Sequence, residues 1–140
     1  MSNARLTSTI KLKVRFHECD PLQIVWHGNY YKYFEEGREA FGREHGISYL
    51  DVKKHGFATP IVKSHCEHKL PLKYGDEFEV VTNFVNSAAA KLVFQYQIFC
   101  SGRLICAGET TQVFTDKNSE LVLNNPPFFL DWKTKMGLIQ

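Results

Sequence analysis

No run of this chain comes near the roughly 18 consecutive apolar residues that carry a helix across a bilayer, and no secretory signal pattern opens it. The expectation is a soluble cytoplasmic protein without a membrane partner. Nor is there much excess of one charge. Seventeen Lys and Arg against 15 Asp and Glu leave a net +2, far short of the basic excess that a nucleic-acid-binding face gathers. Cysteine is sparse, and Cys19, Cys66, Cys100 and Cys106 lack metal-type spacing. Free thiols are the expected state, although Cys100 and Cys106 flank a turn at Ser101-Gly102 and leave a disulfide open. There is no composition shift and no long linker in the 140 residues. One domain over 5–140 is therefore expected, large enough to bury its own core. Met1-Ser-Asn-Ala4 resembles a cloning remnant and is set aside.

Aromatic residues, by contrast, are plentiful, with 11 Phe among them, and their spacing is informative. From Asn29, the apolar residues Tyr30, Tyr33, Phe34, Gly37, Ala40 and Phe41 recur at three- and four-residue intervals. Lys32, Glu35, Glu36, Arg38 and Glu39 fill the other face, so a helix of about four turns is predicted. Gly28-Asn29 suits its start and His45-Gly46 its end. Ser48 to His55 suggests a short second helix.

Elsewhere the pattern has period two. Thr9 to His17 reads as a first strand, Phe57 to Lys69 as extended chain, and Glu77 to Val85 as a strand. Lys91 to Cys100 alternates with Leu92, Phe94, Tyr96 and Ile98 on one face, and Arg103 to Thr115 returns beside it. Asp116-Lys-Asn-Ser119 turns the chain again. One long helix and about five strands joined by short connections imply an α+β domain, an antiparallel sheet curled around one central helix. One helix cannot protect the sheet's edges, so a homodimer is expected.

Chemistry concentrates between Arg15 and Tyr31. The first N–H groups of a helix lack intrahelical partners and carry the positive end of its dipole, so a developing oxyanion is stabilised there. Asp20, in a Pro-containing loop just before the helix, supplies an acid beside that polarising end. Taken alone, Asp-Pro is also an ordinary turn pair. Cys19 adjoins Asp20, but a neighbouring carboxylate raises a thiol pKa and argues against a nucleophile. His65-Cys-Glu-His68 suggests a metal cluster until strand geometry is applied: residues 65 and 67 face one way and 66 and 68 the other. No metal site is expected. Trp26, Tyr30 and Phe57 are candidates to line a pocket.

The run Phe16-His-Glu-Cys-Asp-Pro-x-x-Ile-Val-Trp-His-Gly-Asn-Tyr30, followed by Ala58-Thr-Pro-Ile-Val62, resembles the hotdog-fold acyl-CoA thioesterases of the 4-hydroxybenzoyl-CoA thioesterase type, over roughly Lys11 to Thr115. That resemblance implies the hotdog fold, with a dimer or tetramer and an active site at the subunit interface. It implies hydrolysis of an acyl-CoA thioester, with Asp20 the catalytic carboxylate. The backbone N–H of His27, joined by that of Gly28, would polarise the carbonyl, and the His27 side chain is a further candidate. Trp26, Asn29, Tyr30, Thr59 and Lys91 are assigned to substrate binding, Thr59 from across the interface. Glu35 and Glu36 stand as alternative acids on the helix. No cofactor is implied, coenzyme A being part of the substrate.

Three positions depart from the family pattern. Leu22-Gln23 stand where Gly is frequent after the acid, and Phe16 stands where one subgroup has a phenol. Ala89-Ala90-Lys91 replace an Arg-x-Ser element, so phosphate contacts from that place would fall to Lys91. Two other activities share features with this pattern: a hotdog 3-hydroxyacyl-thioester dehydratase, disfavoured by the position of the acid, and a non-catalytic acyl-thioester binder.

Overall fold

The computed structural model describes residues 6–139; the proposed cloning remnant lies outside them. Strand β1 (Thr7–Lys13) is followed by a short 3-10 turn at Phe16–Glu18, helix α1 (Asn29–His45) and helix α2 (Tyr49–Lys54). Strands β2 (Ile61–His68), β3 (Glu77–Val85), β4 (Lys91–Cys100) and β5 (Arg103–Thr115) come next. A two-residue β6 (Leu121–Val122) and helix α3 (Pro127–Lys135) complete the order. The sheet runs β1-β3-β4-β5-β2, all antiparallel, with β6 on β5. This is the sheet around one long helix that the sequence implies.

Helix α1 contains no β-branched residue, and Ser48 caps α2 by accepting the N–H of Asp51. The buried stripe of α1, Tyr30, Tyr33, Phe34, Gly37 and Phe41, lies on Phe78, Val80, Phe84, Phe94, Tyr96 and Ile98 of the sheet. Gly37 would ordinarily weaken a helix interior by about 1 kcal/mol. Here a Cβ would come within 2.8 Å of Val80 Cγ1 and closer still to Thr82 Oγ1, so the missing side chain is what lets the helix sit down on β3.

The first strand is shorter than its alternation suggests. It stops at Lys13, because Val14 gives its N–H to Asp76 O at 2.9 Å and the Arg15 N–H is taken by the Glu18 carboxylate. All four cysteines are free. Cys100 opposes Arg103 and Cys106 opposes Ile98, so the turn does not pair the two thiols. The neighbouring Cys66 thiol and burial together push the Cys106 thiol pKa up. Among the described residues no helix is long and apolar enough to cross a membrane.

The tail, without an assignment from the sequence, forms α3 and packs against the end of α1 and the core of the sheet. Phe129 and Trp132 are buried, and Trp132 Nε1 donates to His45 O at 2.7 Å. Lys133 is buried beside them, its Nζ donating to Ser87 O at 2.6 Å and lying 4.6 Å from the Phe129 ring centre. Burial lowers its pKa.

Candidate active site

The Asp20 loop is a closed device rather than a free excursion. Cys19 and Val25 form an isolated antiparallel bridge. Inside it the Asp20 N–H donates to Ile24 O at 2.9 Å and the Gln23 N–H to Asp20 O at 2.8 Å. Asp20 Oδ1 accepts the Leu22 N–H at 2.9 Å, the local side-chain turn for which Asp is suited. Among the described residues Oδ2 accepts no hydrogen bond, and one carboxylate oxygen is left for chemistry. Gln23 has φ 66°, in the left-handed region. The loop thus makes the turn that Gly would make, with a residue that pays about 1–2 kcal/mol to do so.

Glu18, which the sequence reading passed over, fixes this loop to α1. It is 3 % exposed. Oε1 accepts the Arg15 N–H at 2.8 Å and the Tyr33 hydroxyl at 2.9 Å, and Oε2 accepts Lys32 Nζ at 2.9 Å. Burial is the largest single influence on its pKa and pushes it up; the three donors together outweigh burial and hold it below the ordinary carboxylate value. Tyr33, donating to that anion from a buried site, has its own pKa raised. The backbone of Glu18 also works: its carbonyl accepts the Trp26 N–H at 3.0 Å and Asn29 Nδ2 at 2.8 Å. The signal available in the sequence was an acid two residues before the candidate acid and 14 before a Lys on the helix.

At the helix start the Asn29 N–H is taken by Trp26 O at 2.9 Å. Gly28 takes the N-cap position without any side-chain cap. Among the described residues neither the His27 N–H nor the Gly28 N–H donates a hydrogen bond, so two amides stand open at the positive end of α1. The Trp26 ring, half exposed, lies over Gly28 where a Cβ would overlap it. Side-chain rings gather here too. His27 is 5.1 Å from Trp26 and 6.4 Å from His68, and His68 is 5.0 Å from Tyr30, all between ring centres.

The structure separates the other candidates. Tyr30 is a core residue rather than a binding one: its ring is 3 % exposed and its hydroxyl accepts the Leu72 N–H at 3.3 Å. Burial chiefly, against that hydrogen bond, pushes its pKa up to about 12. Asn29 spends its side chain on Glu18 O, so it braces the loop. Lys91 opens β4 opposite Val113, at the far end of the sheet from Asp20, a strand length or roughly 30 Å away at about 3.3 Å per residue. Thr59 belongs to that far end as well, since Ala58 bridges Thr115. Gln112 Nε2 holds Thr59 by its carbonyl at 2.7 Å and its Oγ1 at 3.2 Å.

Thr59 and Gln112 line a cavity of about 800 Å³ with Arg38, Val52, Leu92 and Phe94, a volume suited to a small-molecule group. Glu35 lines it too, whereas Glu36 faces a separate cleft beside Lys11 and Arg15. Among the described residues no cluster of His, Cys, Asp and Glu is arranged to hold a metal ion.

A family model described as the thioesterase-like superfamily matches residues 14–133. YneP of Bacillus subtilis (strain 168), provisionally named an acyl-CoA thioesterase, is 32% identical over 125 residues, 89% of this chain and 91% of its own length. The DHNA-CoA thioesterase of Staphylococcus aureus superposes with a TM-score of 0.84 at 24% identity, covering 94% of this chain and 91% of that one. The 4-hydroxybenzoyl CoA thioesterase of Pseudomonas sp. strain CBS-3 superposes with a TM-score of 0.77 at 19% identity, covering 90% of this chain and 98% of that one. The last two share this chain's fold.

Proposed function

The chain belongs to the thioesterase-like superfamily, and on that premise we propose that it hydrolyses the thioester of an acyl- or aryl-coenzyme A to the free acid and coenzyme A. The observation that carries the reading is the pairing of a half-free carboxylate, Asp20, with two open amides at a helix start, held together by Glu18. The thioester oxygen docks on the His27 and Gly28 N–H groups, which stabilise the oxyanion as it forms; one such donor is worth about 3 kcal/mol. Asp20 Oδ2 attacks the carbonyl to give a mixed anhydride that water opens, or it takes the proton of a water that attacks directly. In both routes the C–S electron pair leaves on sulfur. Hydrolysis by this carboxylate needs no cofactor.

The site requires a second copy of the chain. Among the described residues β2 pairs only with β5 and its other edge is open, with Ile61 and Val62 45% and 60% exposed. The opposite edge, β1, carries the exposed Lys11 and Lys13, which discourage pairing. Antiparallel, two-fold pairing of β2 with β2 sets the Ile61 end of one subunit beside the His68 end of the other. The Thr59 cavity of one copy then faces the Asp20 and His27 of its partner, which accounts for the strand length between them in one chain. A dimer is the minimal unit, with a tetramer built from dimers. We assign it to the cytoplasm, a reducing setting that suits four unpaired cysteines.

The test is release of free thiol from short, medium, long and aryl acyl-CoAs by wild type and Asp20→Asn. Turnover that falls at least a hundredfold in the variant supports the reading and names the acyl class. Tight binding with no turnover by wild type on any substrate overturns it in favour of an acyl-thioester binder.

A further inference from the structure

His68 is the last residue of β2 and stands opposite Cys106 in register. Residues opposite one another on neighbouring strands share a face of the sheet. Cys106 is wholly buried in the core under α1, so His68 is on the helix side of β2 while His65 and Glu67 are on the other. At the strand end this carries an exposed imidazole past the rim of the core to the start of α1. There it meets Tyr30 edge to face at 5.0 Å and His27 edge to face at 6.4 Å. The Tyr30 hydroxyl is already engaged by the Leu72 N–H. Among the described residues neither His68 nitrogen makes a hydrogen bond or ion pair, and the ring is held by stacking with its nitrogens uncommitted.

The chemistry at this place lacks one proton. Collapse of the tetrahedral intermediate leaves an electron pair on the sulfur of coenzyme A, whose thiol has an ordinary pKa of about 8.5, against about 6.5 for an imidazolium. An imidazolium can therefore pass its proton to that sulfur downhill, and a mild acid is all the leaving group needs. On the nucleophile route Asp20 becomes part of the mixed anhydride and has no proton to give, whereas on the base route it already holds the proton taken from water; a separate donor is therefore needed on the nucleophile route. Resting on the hydrolase reading above, we infer that His68 is a catalytic residue, the general acid that protonates the departing thiolate. The C–S bond breaks, its pair takes the imidazolium proton to give the thiol, and the neutral imidazole is reprotonated by the proton released from the attacking water. Thioester and water become acid and thiol with nothing left over.

The experiment compares leaving groups. Wild type, His68→Phe, His68→Gln and His27→Phe are assayed on one acyl group carried by coenzyme A and by a nitrothiophenol, whose thiolate departs without a proton. Light scattering monitors assembly. The expected result is a loss of at least tenfold in kcat/KM on the CoA thioester for both His68 variants and less than threefold on the aryl thioester. Phe at position 68 preserves the edge-to-face packing, so that variant separates the proton from the contact. Equal losses on both substrates would make His68 a packing residue and overturn the inference while leaving the hydrolase reading intact. The selective loss appearing in His27→Phe instead would also overturn it. Failure of wild type on both thioesters would remove the hydrolase reading and this one with it.

Discussion

Replacing Glu18 by Ala would remove the anion that ties the Asp20 loop to α1, and the size of the effect follows from its three partners. The Lys32 ammonium is 46% exposed and can turn to water, so that ion pair contributes less than about 1 kcal/mol. The Tyr33 hydroxyl is buried and has no such recourse, the Arg15 N–H is part-buried, and hydrogen bonds to a charged acceptor are worth about 1.5–3 kcal/mol each. A loss of about 3 kcal/mol at pH 7 is expected, the lower end of the range for breaking a buried pair. In a domain of this size that lowers Tm by about 10 °C. Glu18→Gln, which keeps an acceptor for Tyr33, should lose about half as much. The pH dependence is the sharper check. Because the folded-state pKa lies below the ordinary 4.5, the unfolded chain binds more protons between the two values, and stability rises with pH across that window. Glu18's contribution is complete above the ordinary value and is lost as pH falls through the lowered one. Urea unfolding of wild type and Glu18→Ala should therefore show a gap that is full at pH 7 and narrows as pH falls below about 4.5. A loss under about 1 kcal/mol, or a gap that does not change between pH 7 and pH 4, would refute this account of the loop.

Other outcomes follow from single features. Gln23→Gly removes a left-handed strain and should stabilise the protein by up to about 1 kcal/mol in chemical denaturation; a destabilisation would contradict the strain argument. Gly28→Ala puts a methyl group where the Trp26 ring lies, so the ring should swing into solvent, shifting tryptophan emission to the red, with kcat/KM reduced at least tenfold. Unchanged emission would mean that the ring is not seated on Gly28. Val62→Lys on the exposed edge of β2 should leave the subunit's own unfolding within about 0.5 kcal/mol, yet yield monomers by light scattering with activity down at least a hundredfold. An active monomer would place the whole site in one chain.

Much of this architecture is written in periodicity. The clean alternation of Leu92, Phe94, Tyr96 and Ile98 and the three- and four-residue spacing of Tyr30, Tyr33, Phe34, Gly37 and Phe41 give β4 and the buried face of α1 directly, because each repeats over enough residues to define a face. The Asp20 loop is legible as a motif, but its fastening is not. Glu18 looks like any polar residue beside a loop, and only the fold brings Lys32 and Tyr33 within hydrogen-bond distance. Tyr30 misleads for the opposite reason. It neighbours the helix start in sequence, but helical geometry turns its ring inward, where Leu72 satisfies its hydroxyl. Lys91 and Thr59 lie a strand length from Asp20, a separation that periodicity cannot measure. Strand parity did separate His65 from His68, yet the partner that brings His68 to the helix start is β5, through a register the sequence does not state. The tail has too short an apolar pattern to define a face, and its helix is fixed by the floor it covers.

That last helix also sets an order of events. The carbonyl of His45, in the closing turn of α1, receives the Trp132 indole N–H from 87 residues further along the chain. Until α3 has docked, this turn of α1 has lost a donor and lies open to water, so it frays even in a chain whose sheet is complete. Amide exchange at the end of α1 should then follow the opening of α3 rather than of the sheet, and a contact made over so great a sequence separation closes late in folding. The two ends of α1 thus belong to different cooperative units: its start, fastened by Glu18, protects with the Asp20 loop, while its finish waits for the indole of Trp132.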